Sequence, residues 1–178
     1  ALGIVTWSMI EFECDDALAT MAWRARADPA VHRVYVLSPD KDLTQMVEGD
    51  RVVCVDRIRK TTLDEGGVRA KFGVPPASIP DYLALVGDAA DGVPGLKGFG
   101  AKSVAKLLAR FGTLENIPLD AWPADLMLRG AEGMRQRFAD EIDAAQLYKR
   151  LTTLVTDVPL VERVLDLRWR GPDGPALA

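Results

Sequence analysis

Seven carboxylates fall in three tight groups along this chain. Glu13, Asp15 and Asp16 stand in "ECDD", Asp40 and Asp42 in "SPDKDL", and Asp88 and Asp91 in "GDAAD". Each group alone has an ordinary explanation as a helix cap, a first-turn acid complementing a helix dipole, or a turn aspartate. Asp88 fits that explanation worst, because it follows a helical stretch, at the dipole end that repels an anion. Converging carboxylates repel one another: two unit charges ~4 Å apart cost about 4 kcal/mol at an effective dielectric near 20. Divalent cations offset that cost, and hard ions such as Mg²⁺ or Mn²⁺ take oxygen ligands. A pair of such ions can clamp the attacking and leaving oxygens of a phosphodiester.

The third group runs straight into "PGLKGFGAKS", with Gly95, Lys97, Gly98, Gly100, Lys102 and Ser103. Glycines allow a backbone to approach a ligand closely, and a helix N-terminus favours anions. A phosphate-binding P-loop is excluded: Gly95 and Gly100 have its spacing, but Ala101 intrudes before Lys102 and Ser103, and the preceding segment reads as helix. A dinucleotide fingerprint fails on glycine spacing. What remains is a short hairpin between two helices, suited to a nucleic-acid backbone phosphate met by main-chain N–H groups, Lys97 and Lys102. Such contacts position a strand without reading its sequence. A ligand-free helix–helix turn fits the hairpin equally well.

The elements that must position these groups alternate in the first half. "GIVTWSM" (3–9), "VHRVYVLS" (31–38) and "RVVCVD" (51–56) read as strands. The stretch 15–27 reads as a helix with Leu18, Met21, Ala22 and Ala25 on one face, and 42–49 as a short helix. Alternation of this kind predicts an α/β fold, with a mostly parallel sheet flanked by helices. Two acid groups would then lie near the crevice outside the strand ends. Beyond Thr61 strand signals fade. Helices are expected up to Gly73, from Ser78 as N-cap with Pro80 in the first turn, and over 101–111, where Val104, Leu107, Leu108 and Phe111 form one stripe and Gly112 a stop. Two or three more fit 114–155. The organisation expected is an α/β core carrying two of the acid groups over 1–75, a helical region with the hairpin over 76–165, and a Pro/Gly-rich, disordered tail over 166–178.

The chain has 178 residues, 48% of them hydrophobic and 27% charged, as for an ordinary globular domain. No apolar run approaches the roughly 20 residues of a membrane span, and no signal peptide is visible. Cys14 and Cys54 lie in no metal-ligand spacing and read as reduced thiols of a cytoplasmic protein; His32, the single histidine, builds no zinc site. The formal net charge of −4 argues against a nucleic-acid partner, but setting the seven clustered acids aside leaves +3 on the remainder. Trp7, Trp23 and Trp122 are expected in or near the core. "RQRF" (135–138) and "YKR" (148–150) could touch phosphate, although a solvated helix face is the default reading.

These motifs resemble the 5′-nuclease superfamily, the 5′–3′ exonuclease domain of bacterial DNA polymerase I and its flap endonuclease relatives. "FECDDALAT" resembles the family's Y-E-A-D-D block and "VLSPDKDLTQMV" its T-x-D-K-D-L-x-Q-L block. "DYLALVGDAADGVPGLKGFGAKSVAKLLARFGTLENI" is similar to its metal site plus helix–three-turn–helix, and "LVTDVPL" to a recurrent later segment. The resemblance implies a PIN-like core and metal ligands, direct or through water, at Glu13, Asp15, Asp16, Asp40, Asp42, Asp88 and Asp91, around two Mg²⁺ or Mn²⁺ ions. It implies a hairpin over 95–103 that grips duplex DNA, with K⁺ on its carbonyls. It also implies hydrolysis of 5′ flaps or 5′ ends beside duplex DNA, with a polymerase in the same or another chain as a partner. Cys14 stands where the family has alanine, and Pro39 where it has a small residue. The family opens with a further aspartate-bearing strand and a basic helical arch, which nothing before Gly3 supplies. The resemblance therefore implies an N-terminally truncated chain, with reduced or no cleavage alone, from a parent that cleaves. The competing expectation is a non-catalytic DNA-junction binder that uses the hairpin alone.

Overall fold

The computed structural model describes residues 2–172. Its sheet has three strands, β1 (Val34–Val36), β2 (Val52–Asp56) and β3 (Thr61–Leu63), in the order β1-β2-β3. β1 pairs parallel to β2 through Tyr35↔Val53, and β2 pairs antiparallel to β3 through Val55↔Thr62. β3 was not foreseen. It is short, with two exposed threonines, and follows a turn in which Lys60 adopts a positive φ of 55°.

The expected strand over 3–9 does not form. Its residues lie outside the sheet, so their β-branched and aromatic types find no ladder to join. This segment is instead tied to the far end of the chain. Trp7 Nε1 donates to Glu162 Oε2 (2.9 Å), and Trp169 Nε1 donates to the Leu2 carbonyl (2.9 Å). The tail expected to be disordered is thus held up to Trp169; its positions 173–178 lie outside the described residues.

Helix α1 (Cys14–Ala27) precedes the sheet, and α2 (Glu65–Phe72), α3 (Ile79–Val86), α4 (Ala101–Phe111), α5 (Ala131–Asp140) and α6 (Ile142–Thr152) follow it. The expected short helix is a 3₁₀ turn, Asp42–Met46. Termini follow local chemistry. The Asp64 carboxylate caps α2 by accepting from Gly67 N, and Gly73 closes it in the left-handed conformation. Ser78 stands at the N-cap of α3 with Pro80 in the first turn, yet its hydroxyl donates to the Gly112 carbonyl and caps nothing. Val104, Leu107 and Leu108 of α4 are buried, as their spacing predicts.

One continuous core joins the sheet to the helices, with Leu43, Val52, Val68, Leu83, Leu107 and Phe138 almost wholly enclosed. Asp81 sits within it at 1% exposure. Its Oδ1 accepts from Leu114 N (2.8 Å) and pairs with Lys149 Nζ (2.7 Å), which also meets Glu115. Those bonds fasten α3 to α6 and to the turn after α4. Without Asp81, Lys149 keeps Glu115, but the Leu114 amide loses its acceptor inside the core. Asp81→Ala is therefore expected to lower the urea-unfolding free energy by about 1–3 kcal/mol; an unchanged unfolding free energy would show that these bonds do not hold the helices together.

Candidate metal centre

The first acid group opens α1. Asp16 has structural work: its Oδ2 accepts from Glu13 N (3.1 Å) and its Oδ1 from Val155 N (2.8 Å), tying α1 to the segment after α6. The capping explanation therefore holds for Asp16. Asp15 accepts only a long bond from Cys14 Sγ (3.4 Å). Burial pushes its carboxyl up, against the Cys14 bond, and the charges of Asp40 and Asp16 add to the rise.

The second group follows β1. Asp40 N donates to Ser38 Oγ and Asp42 N donates to Asp40 Oδ1 (2.9 Å), folding the chain tightly into the 3₁₀ turn. Asp42 Oδ1 is buried without a partner. Burial, then the charges of Asp40, Asp91 and Asp88, push its carboxyl up to about 7, with Lys41 opposing.

The third group is a loop at the end of α3, closed by paired bonds between the backbones of Asp88 and Val93 (2.7 and 2.8 Å). Asp88 is 1% exposed. Its Oδ1 accepts from Ala90 N (3.0 Å) and pairs with Lys41 Nζ (2.6 Å), while its Oδ2 is buried without a partner. Burial alone would raise the Asp88 carboxyl, but the bonds from Lys41 and Ala90 outweigh it and hold it low. Burial and the neighbouring Asp88 push Asp91 up.

These turns bring distant residues together. Carboxylate oxygens of Asp40, Asp42 and Asp91 lie within 4.8 Å of one another. They share a cleft of about 360 Å³ with Glu13, Asp15 and Asp16, whose remaining lining includes Tyr148, Arg150 and residues 152–155. Of the seven expected residues only Asp88, which is buried, does not line the cleft. The donor set is hard carboxylate oxygen, and one of its members, Asp42 Oδ1, is buried without a partner, which suits a divalent cation of the Mg²⁺ or Mn²⁺ kind. Soft ligands are elsewhere. Cys54 is buried, donates to the Leu43 carbonyl and has its thiol pushed up to about 12 by burial. Cys14 is exposed and does not line the cleft.

The hairpin is continuous with the third loop. Gly87 (φ 92°) and Gly95 (φ 66°) face each other so closely that a Cβ on Gly95 would lie 2.5 Å from Gly87 N, and one on Gly87 2.7 Å from the Pro94 carbonyl oxygen. These two glycines therefore serve backbone-on-backbone packing. Leu96 and Phe99 anchor the hairpin in the core, Phe99 against Trp122 and Phe138, while Lys97 and Lys102 stay exposed. A Cβ at Gly98 would meet Arg137 Nη1 at 2.9 Å, and that guanidinium donates to the Lys97 carbonyl. A Cβ at Gly100, the N-cap of α4, would meet nothing within 4 Å, and Ser103 lies half-buried in the first turn of α4.

Sequence reasoning missed three features. Lys41 is the internal counter-cation of Asp88, and the signal was a lysine set between two acids. Arg137 of "RQRF" braces the hairpin, and Arg150 of "YKR" lines the cleft, where a solvated face was expected. Trp23 is 47% exposed under the Arg26 guanidinium, not in the core.

Comparison with known proteins gives a consistent picture. A model of the 5′-3′ exonuclease N-terminal resolvase-like domain matches residues 1–73, and one of the 5′-3′ exonuclease C-terminal SAM fold matches residues 74–175. DNA polymerase I of Pseudomonas aeruginosa is 38% identical over 99% of this chain and 19% of its own length. A 5′-3′ exonuclease of Aquifex aeolicus is 35% identical over 96% of this chain and 55% of its own, and flap endonuclease Xni of Edwardsiella ictaluri 32% over 96% and 64%. The chain thus spans less than two thirds of the length of each of these relatives. The bacteriophage T5 flap endonuclease, solved with DNA and metal ions, shares the fold with a TM-score of 0.70 at 20% identity, over 83% of this chain and 52% of that one. T5 5′-exonuclease with bound zinc matches at 0.68, also at 20% identity, over the same shares. Both halves of the sequence match consecutive models of one enzyme group, and the chain belongs to the 5′-3′ exonuclease family.

Proposed function

We propose that this chain carries the metal centre and the duplex-gripping hairpin of a 5′-3′ exonuclease or 5′-flap endonuclease that hydrolyses DNA phosphodiesters. The observation that carries this reading is the convergence of Asp40, Asp42 and Asp91, from two separate turns, beside a glycine hairpin on the same backbone. The names of the relatives, DNA polymerase I among them, agree with it and with a polymerase partner.

In this reading Asp40, Asp42 and Asp91, with Glu13 and Asp15 on the same cleft, would hold two Mg²⁺ or Mn²⁺ ions. Asp16 fixes the start of α1, and Asp88, kept ionised by Lys41, adds charge. Such an ion pair, when bound, activates a water and neutralises charge on the attacked phosphate. The hairpin would hold the same DNA farther along, through main-chain N–H groups, Lys97 and Lys102, and its carbonyls could take a K⁺ ion. These contacts carry no sequence preference, so selectivity comes from DNA shape.

In the full-length protein, Asp40→Ala combined with Asp91→Ala is expected to lower kcat on a 5′-flap duplex in Mg²⁺ by at least about 100-fold; undiminished cleavage would refute the site. The free carboxylates also predict a pH signature. Folding raises the Asp42 carboxyl to about 7, so the metal-free folded state binds more protons than the unfolded one between about pH 4 and 7. Stability in EDTA is therefore expected to fall as pH rises through that window, and Asp42→Asn to flatten the dependence. Mn²⁺ competes with that proton, so its increase in melting temperature should be larger at pH 8 than at pH 5.5. No Mn²⁺ shift at either pH would favour a DNA binder whose acids only hold structure.

A further inference from the structure

The last turn of α6 presents two adjacent cations with different fates. Lys149 is committed to Asp81 (2.7 Å) and Glu115 (2.8 Å). Arg150 makes no ion pair and no side-chain hydrogen bond among the described residues, although six carboxylates line the cleft it borders. Among the described residues it is the only lysine or arginine lining that cleft. It also borders an adjoining depression of about 750 Å³, which shares Thr153, Leu154 and Val155 with the cleft and adds Gln146 and Thr156, the Glu115–Lys149 pair and Asp157. Arg150 therefore lines both the acidic cleft and the groove beside it.

A guanidinium held beside carboxylates but paired with none keeps its five donors available. Its planar fork matches a phosphate bidentately. A nucleic-acid strand whose scissile phosphate lies among the carboxylates needs a cation to hold the neighbouring phosphate, because the acids around it repel the backbone. Building on the nuclease reading above, we propose that Arg150 is a substrate-positioning residue. It binds the backbone phosphate next to the one under attack and directs the strand from the cleft into the groove of Gln146, Thr153 and Thr156. The contact is to phosphate and carries no base preference.

The full-length protein with R150Q, and with R150K, tests this against wild type. Binding of a labelled 5′-flap duplex is measured in Ca²⁺ across a salt series, cleavage is followed in Mg²⁺, and the Mn²⁺-induced melting shift is recorded without DNA. R150Q is expected to weaken binding about 10-fold and to reduce the slope of log affinity against log salt by about 1. KM should rise more than kcat falls, and the Mn²⁺ shift should be unchanged. R150K should restore the slope but only part of the affinity. Wild-type affinity and slope in R150Q would mark Arg150 as a solvated surface residue and overturn the proposal. So would loss of the Mn²⁺ shift, which would mean that Arg150 acts by shaping the carboxylate cluster. If wild type neither binds nor cuts the flap, the nuclease reading falls and this inference with it.

Discussion

Like charges do not share a cleft unless the chain has no other way to turn, and that constraint governs this molecule. Asp40, Asp42 and Asp91 are held within 4.8 Å because each sits in a backbone turn fixed by its own local bonds and rooted in a neutral core. Leu43 and Val36, on either side of the second turn, are buried, and Leu83 and Leu85 lead into the third. The core supplies the free energy that offsets the repulsion. The residual conflict shows in the orphaned oxygens of Asp42 and Asp88 and in the raised carboxyl of Asp42. Strongly perturbed carboxyls gathered in one cleft are a usual sign of a working site.

Lys41 tempers the conflict from within. Lying between Asp40 and Asp42 in sequence, it turns back to meet buried Asp88, so the acid with least access to water has a fixed counter-charge. Among the described residues Asp40, Asp42 and Asp91 make no ion pair. Negative charge therefore stays in excess in the cleft, the arrangement that attracts a cation to one place.

The acidic loop and the hairpin also form one mechanical unit. Gly87 and Gly95 bring their backbones too close for any side chain, so the third acid turn cannot move without the hairpin. Arg137 braces the hairpin from α5, and Phe99 roots it beside Trp122 and Phe138. A strand gripped by the hairpin would be held at a fixed distance from the carboxylates. In the proposed reaction that rigidity supplies the positioning on which hydrolysis depends.

Much of this was legible in the residues. The acid groups, the glycine hairpin, α1, α4 and the parallel β1–β2 pair all follow from types and spacings, because caps, glycine turns and apolar periodicity act over a few residues. The segment 3–9 has the residue types of a strand but not the partner, and pairing is a long-range event that local types do not decide. The sequence alone showed which side chains could bind a cation and that a glycine hairpin follows them. Only the tertiary structure decided that Asp88 faces Lys41, that Asp16 is spent on the Val155 amide, and that Arg150 stands free at the cleft while Lys149 is committed to Asp81 and Glu115. Those outcomes depend on which distant backbone arrives beside each charge, and charges respond to neighbours in space, not in sequence.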